Sequence, residues 1–177
     1  ANKIYIVLLV VGALVYAIVV PLHWSEGYID FGDGNYLYIS WRMANGVVLY
    51  RDVMAPQPPI HLCLGSALMR LAEAAGLPSL YTVRAFSLLL HLATFLLIYI
   101  LSLRIFQQRP IATLSALVYL IIPVGFWWSL GYQSEPTEIF FLLFAVYFFL
   151  NESRGSLILS ALFSTLAVFT NMTAAPY

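Results

Sequence analysis

Two short stretches concentrate the side chains of this sequence that could do chemistry. Residues 28–46, YIDFGDGNYLYISWRMANG, carry Asp30, Asp33 and Arg42 among aromatic rings and glycines, and a Ser-Glu-Pro segment places Glu135 before an apolar run. A carboxylate can act as a general base, and a guanidinium can bind a phosphate through paired hydrogen bonds. Each also has a structural alternative, because an acid can cap a helix N-terminus and an arginine can reach lipid headgroups.

The chain around these stretches has the composition of a membrane protein. Of its 177 residues 62% are hydrophobic and only 9% are charged, far from the usage of soluble domains. The net charge is zero, so the composition does not indicate binding to nucleic acid. The single cysteine, Cys63, allows no internal disulfide. We predict one all-α polytopic transmembrane domain over residues 1–177, with five spanning helices at 4–22, 83–105, 111–130, 137–151 and 156–171. Pro123 is expected to kink the third span.

The charges indicate which side of the membrane carries the polar chemistry. With the N-terminus in the cytoplasm, the short inner segments hold Lys3, Arg104, Arg109 and Arg154, as the positive-inside rule favours. The acids then fall almost entirely on the outer side: Glu26, Asp30, Asp33, Asp52, Glu73, Glu135 and Glu138, with Glu152 alone inside. The sequence therefore predicts a functional site at the extracytoplasmic face.

A long outer segment, residues 23–82, is predicted to carry two interfacial helices beside the membrane. The first is expected over 35–44, entered through Asp33-Gly34, with Asp33 as a possible N-cap. The second is expected to begin after Pro58-Pro59. A helical wheel places its apolar side at Ile60, Leu64, Ala67, Leu68 and Leu71 and its polar side at Ser66, Arg70 and Glu73.

The order of these motifs resembles a known family. After the first span come the acid-x-x-Tyr helix, "NG…LYRD", a Pro-Pro, "TVRAFS", "SEPTEIFFLLFAVYFF" and "LILSALFSTLAVFTN". Over most of the chain this set resembles the N-terminal part of the GT-C glycosyltransferase superfamily, in the branch of protein mannosyltransferases and aminoarabinose transferases. The resemblance implies sugar transfer from a polyprenyl or dolichyl phosphate donor to an unknown acceptor, at the outer face of a plasma membrane or of the endoplasmic reticulum in a eukaryote.

The resemblance also implies roles for particular residues. Asp33 is the expected base, Asp30 is the reserve candidate, and Glu135 is expected to face them across the cavity. The candidates for binding the donor phosphate are Arg42, Arg51, Arg84, Tyr50 and Gln57. Paired outer acids could bind a divalent cation, but the oxygen ligands are too few and too irregularly spaced to predict a metal site.

The chain departs from the family pattern at three positions. Gly32 stands where members commonly have the first of two acids, while Gln57 and Asn171 stand where members often have lysine. Two other functional classes use similar residues: a transporter or flippase that binds a lipid-linked or anionic substrate without cleaving a bond, and a non-catalytic membrane assembly subunit. The long outer segment favours the transferase, because transporters concentrate polar groups near the bilayer midplane.

Overall fold

A computed structural model describes residues 2–26, 28–151 and 153–174 of the protein, and Glu152 lies outside that part. The α-helices are α1 (Asn2–Val19), α2 (Phe31–Ala44), α3 (Pro59–Ala74), α4 (Ser79–Phe106), α5 (Arg109–Ile121), α6 (Pro123–Leu130), α7 (Ser134–Phe149) and α8 (Arg154–Val168). Two 3-10 helices, Val20–Glu26 and Met172–Ala174, follow α1 and α8. The predicted all-α fold is confirmed for the described residues.

Within the described residues, two helices are long and apolar enough to cross a membrane, and a bent pair makes a third candidate. By length and composition, the two candidate spans are Lys3–Ser25 and α4. The pair α5 and α6 is a third candidate if its two helices together form one span. The predicted spans 83–105 and 111–130 lie inside α4 and inside this pair. α7 and α8, of 16 and 15 residues, are shorter than a bilayer ordinarily requires. The full count of five spans stays a prediction.

α1 presents apolar side chains to its surroundings on most of its surface. Ile4, Ile6, Leu14 and Ile18 are each more than half exposed. A helix that is hydrophobic all round normally lies in a protein core or in lipid. Since this one is hardly covered by the rest of the protein, its composition fits lipid better than water.

The kink expected at Pro123 is a complete break in the helix. α5 ends at Ile121, Ile122 adopts an extended backbone, and α6 starts at Pro123 at an angle of 56° to α5. Proline has no N–H to continue the hydrogen-bond ladder, and it disfavours helical backbone at the residue before it. The break changes the direction of the chain, and residues 131–133, which follow α6, therefore lie beside the start of α2.

The buried residues form two apolar clusters. The first cluster is shared by α1, α4, α5 and α6 and includes Tyr16, Phe95 and Leu120. The second cluster joins α2 and α3 to the first turns of α4 and includes Leu37, Leu62, Val83 and Tyr132. We call α2, α3 and the residues packed with them the α2–α3 layer.

Two details of the α2–α3 layer differ from the sequence prediction. α2 begins at Phe31 rather than Asn35, and its N-cap is Asp30 rather than Asp33. On α3, Ser66 is buried instead of lying on a polar face, while Leu71 is 65% exposed. The reason is close packing of small residues: a Cβ at Gly65 would collide with the side chain of Ser40 on α2. α3 thus approaches α2 closely at Gly65, and its apolar residues Leu62 and Met69 pack in the same cluster as Leu37.

Candidate functional site

The candidate site lies where the start of α2 meets the loop between α6 and α7. Asp30 has an extended backbone, and its Oδ1 accepts the backbone N–H of Asp33 at 2.8 Å. This bond satisfies one of the free N–H groups in the first helical turn. The two acids that the sequence places three residues apart are therefore coupled directly, with Asp30 outside the helix and Asp33 inside it.

Asp33 is fully buried and surrounded by hydrogen-bond donors. Its Oδ2 accepts Arg84 Nη2 at 2.8 Å and the backbone N–H of Ile29 at 3.0 Å, and its Oδ1 accepts the backbone N–H of Tyr132 at 2.6 Å. A Cβ at Gly131 would lie 2.9 Å from the carboxylate carbon, so only glycine allows this approach. The carboxylate thereby joins α2, α4 and the α6–α7 loop.

Asp30, in contrast, is exposed. Its Oδ1 also accepts Gln133 Nε2 at 2.7 Å, while its Oδ2 has a longer contact of 3.4 Å with Trp127 Nε1. Partial burial tends to raise the pKa of Asp30, but the hydrogen bonds from Asp33, Gln133 and Trp127 outweigh it and hold the pKa below its usual value. An ionised carboxylate with one lightly used oxygen consequently faces solvent at this end of α2.

Glu135 stands beside the same loop, at the start of α7. Its Oε2 accepts Ser134 Oγ at 3.3 Å, and Ser134 Oγ lies 3.1 Å from the hydroxyl of Tyr36, one turn after Asp33 on α2. Burial raises the pKa of Tyr36, the bond with Ser134 opposes that rise, and the negative charges of Glu135, Asp30 and Glu138 add to it. The structure therefore brings the three predicted carboxylates to one place.

Other residues join this cluster; the sequence marks Asn171 as a departure from the family pattern and Glu138 as an outer acid, but it gives no distinctive signal for Thr173 or Trp127. Asn171 donates its Nδ2 to Ser134 Oγ at 3.2 Å, and Thr173 donates its hydroxyl to Glu138 at 2.7 Å. Gln133 and Trp127 contact Asp30 from more than ninety residues away. Only the position of Gln133 directly before the Ser-Glu-Pro segment could have pointed to it.

The predicted phosphate-binding arginines are not gathered at the carboxylates. Arg42 lies twelve residues after Asp30, about 18 Å along α2 at 1.5 Å per residue. Its Nη1 donates to the hydroxyl of Tyr38 at 2.7 Å, and its guanidinium lies over that ring. Arg51 forms an exposed ion pair with Asp52 at 2.8 Å. Arg84 is the one that reaches the site, but it is buried against Asp33.

Tyr50 and Gln57 are paired, and both line an apolar groove. The Tyr50 hydroxyl donates to the carbonyl oxygen of Gln57 at 2.6 Å. The groove has a volume of about 530 Å³ and continues past Pro59 to Phe169 and Met172 at the end of α8. Asn171, which lies between these last two residues in the sequence, contacts Ser134 of the carboxylate cluster.

No group of three or more His, Cys, Asp or Glu side chains within the described residues is placed to hold a metal ion. His61 lies under the site, with its ring stacked on Tyr132 at 3.9 Å. Burial lowers the pKa of His61 to about 3, so its imidazole is neutral at physiological pH. It supports the α6–α7 loop by packing.

No protein-family model matches this chain, and neither does any curated protein or solved structure in the comparisons. The functional argument consequently depends on the chemistry of the site. An exposed, ionised carboxylate beside further acids can accept a proton from a hydroxyl group, and an adjoining apolar groove can take a hydrocarbon chain.

Proposed function

We propose that the protein is an integral membrane glycosyltransferase of the GT-C type. It transfers a sugar from a polyprenyl or dolichyl phosphate to a hydroxyl group at the extracytoplasmic face. The observation that carries this proposal is the exposed Asp30 carboxylate, which is held by hydrogen bonds from the Asp33 N–H and the Gln133 amide in an all-helical, largely apolar protein. The ordered motifs that resemble the family support the same reaction.

Asp30 is our candidate for the base, in preference to Asp33. Asp33 is enclosed and its oxygens already accept three donors, whereas Oδ2 of Asp30 faces solvent with only the indole contact. The acceptor O–H gives its proton to Asp30 as its oxygen bonds to the anomeric carbon. The bond between that carbon and the phosphate oxygen breaks, and polyprenyl phosphate leaves with the electron pair. The phosphate is a good leaving group, so a carboxylate of low pKa suffices.

The donor would lie in the groove lined by Tyr50 and Gln57. Its apolar walls suit an isoprenoid chain, and Asn171, next to the groove residue Met172 in the sequence, connects this region to Ser134 of the carboxylate cluster. Arg51 adjoins Tyr50 in sequence and its side chain is 71% exposed. An exposed ion pair contributes little free energy, so Arg51 can exchange Asp52 for a phosphate. Arg42, at the far end of α2, is better placed to contact lipid headgroups.

The positions of the cations support the proposed orientation in the membrane. Lys3 lies in the first turn of α1, Arg104 in the last turn of α4, Arg109 at the start of α5 and Arg154 at the start of α8. Each of these cations therefore lies at the end of its helix that is farther from the carboxylate cluster. A cytoplasmic location of these ends satisfies the positive-inside rule.

The proposal is tested by a transfer assay on the full-length protein with a polyprenyl-phosphate sugar as donor, following release of polyprenyl phosphate. We expect Asp30→Asn to lower the rate by two orders of magnitude or more, as is typical when a general base is removed. Glu73→Gln, which changes an exposed acid near the end of α3, is the matched control and should transfer at the wild-type rate. A wild-type rate for Asp30→Asn would refute the assignment, and movement of intact donor across the membrane would indicate a flippase.

A further inference from the structure

The side chains of Trp127 and Gln133 reach the Asp30 carboxylate from a distant part of the chain. The carboxylate belongs to the N-cap of α2, the Trp127 indole to the last turn of α6, and the Gln133 amide to the α6–α7 loop. Gln133 is almost fully buried, whereas the Trp127 side chain is 48% exposed. A fixed amide and carboxylate therefore stand next to an accessible aromatic surface.

The hydrogen bonds decide which atoms are left for a ligand. Oδ1 of Asp30 already accepts two donors, Asp33 N–H and Gln133 Nε2, and this leaves Oδ2 as the oxygen with spare capacity. Because Nε2 of Gln133 must point at the carboxylate, its Oε1 points toward Gly32. A Cβ at position 32 would lie 2.7 Å from Oε1, so any side chain larger than that of glycine would occupy the space beside this oxygen.

This set of groups matches one class of ligand well. A pyranose ring presents hydroxyl donors around its rim and C–H groups on its faces. Two fixed acceptor oxygens suit the hydroxyls, and an indole ring offers an apolar face with a polar edge. A peptide hydroxyl would engage only one of the two oxygens and would leave the indole face unused.

We infer that Asp30, Gln133 and Trp127 form the acceptor subsite and that the acceptor is a pyranoside rather than a peptide. This inference depends on the proposed function, and it names the substrate class of the same site. Oδ2 of Asp30 receives the reacting hydroxyl, Oε1 of Gln133 receives a neighbouring one, and the sugar face lies on Trp127. Gln133 and Trp127 thus determine specificity.

A binding experiment tests the inference without requiring transfer. The full-length protein in detergent is titrated with methyl α-mannopyranoside, methyl α-glucopyranoside and a short serine-containing peptide while tryptophan fluorescence is followed. We expect a saturable change with at least one pyranoside and none with the peptide. Trp127→Phe should abolish the change and Gln133→Ala should weaken binding about tenfold, whereas Trp128→Phe, the adjacent indole, should bind as the wild type does.

The transfer assay supplies the second readout. Trp127→Phe and Gln133→Ala should raise KM for a pyranoside acceptor several-fold and leave KM for the lipid donor unchanged. Binding that depends on Trp127 without any transfer would refute the proposed function and retain the subsite. Transfer to a peptide with no pyranoside binding, or wild-type binding by Trp127→Phe, would overturn this inference and leave the proposed function standing.

Discussion

Replacing Asp33 by asparagine tests the structural reasoning most directly, because this carboxylate is buried and paired with Arg84. The substitution keeps the size of the side chain and removes its charge. Oδ2 of Asp33 faces two donors, Arg84 Nη2 and the Ile29 N–H, and Oδ1 faces a third, the Tyr132 N–H. Either orientation of the new amide therefore turns an NH2 group against a donor.

The expected cost follows from the geometry of the pair. Opposite charges about 4 Å apart at an effective dielectric constant of 20 attract by about 4 kcal/mol. Breaking a buried pair by removing one partner typically costs about 3–5 kcal/mol, because the remaining charge stays buried. Both side chains are fully buried, so solvent screening does not reduce this figure. A loss of that size is a large share of the roughly 5–15 kcal/mol that stabilises an ordinary domain.

The free energy of unfolding in mixed micelles, followed by tryptophan fluorescence, provides the measurement. Asp33→Asn should lose about 3–5 kcal/mol, and Asp52→Asn, on an exposed loop, should lie within about 0.5 kcal/mol of the wild type. The double variant Asp33→Asn with Arg84→Met should lose less free energy than the two single variants together, because the interaction between the two side chains can be lost only once. Unfolding of Asp33→Asn within 0.5 kcal/mol of the wild type would show that the buried pair is not formed.

Three further predictions concern the packing around the site. Gly131→Ala should cost about 1–3 kcal/mol of unfolding free energy, because its Cβ would meet the Asp33 carboxylate, and an unchanged value would contradict the close approach. Gly65→Ala should cost a similar amount against Ser40, measured in the same way, with Gly155→Ala in open space as the control. His61 remains neutral in the folded protein down to about pH 3, while the unfolded chain protonates it below about 6.5. Stability should therefore fall by about 2 kcal/mol between pH 7 and pH 5, and a His61→Phe variant with the same slope would contradict this assignment.

The sequence predicts the apolar elements of this fold well. Long uncharged runs identify α1 and α4, and the lack of an N–H in Pro123 identifies the break between α5 and α6. These features depend on local composition, which a single sequence displays. The shortness of α7 and α8 agrees with the predicted spans 137–151 and 156–171, whereas the bend of 56° depends on packing between helices, which a single sequence does not display.

The site could be predicted only in part, for a physical reason. The charges of Asp30, Asp33 and Glu135 mark them as candidates, but their roles are decided by distant partners. Asp33 is enclosed by groups 51 and 99 residues away, Arg84 and Tyr132. The Asp33-Gly34 pair predicts the entry to a helix at Asn35, whereas tertiary packing extends α2 back to Phe31 over both glycines.

The hydrogen bonds of Asp33 can form only in stages while the protein is being synthesised. The carboxylate is made early, but Arg84 follows 51 residues later and the Tyr132 N–H follows 99 residues later. A nascent chain halted before residue 84 holds this acid without its counter-ion, and one halted before residue 132 holds it without its last donor. Protection of residues 28–33 from protease in ribosome-arrested chains should therefore rise in two steps, the second after residue 132 has emerged.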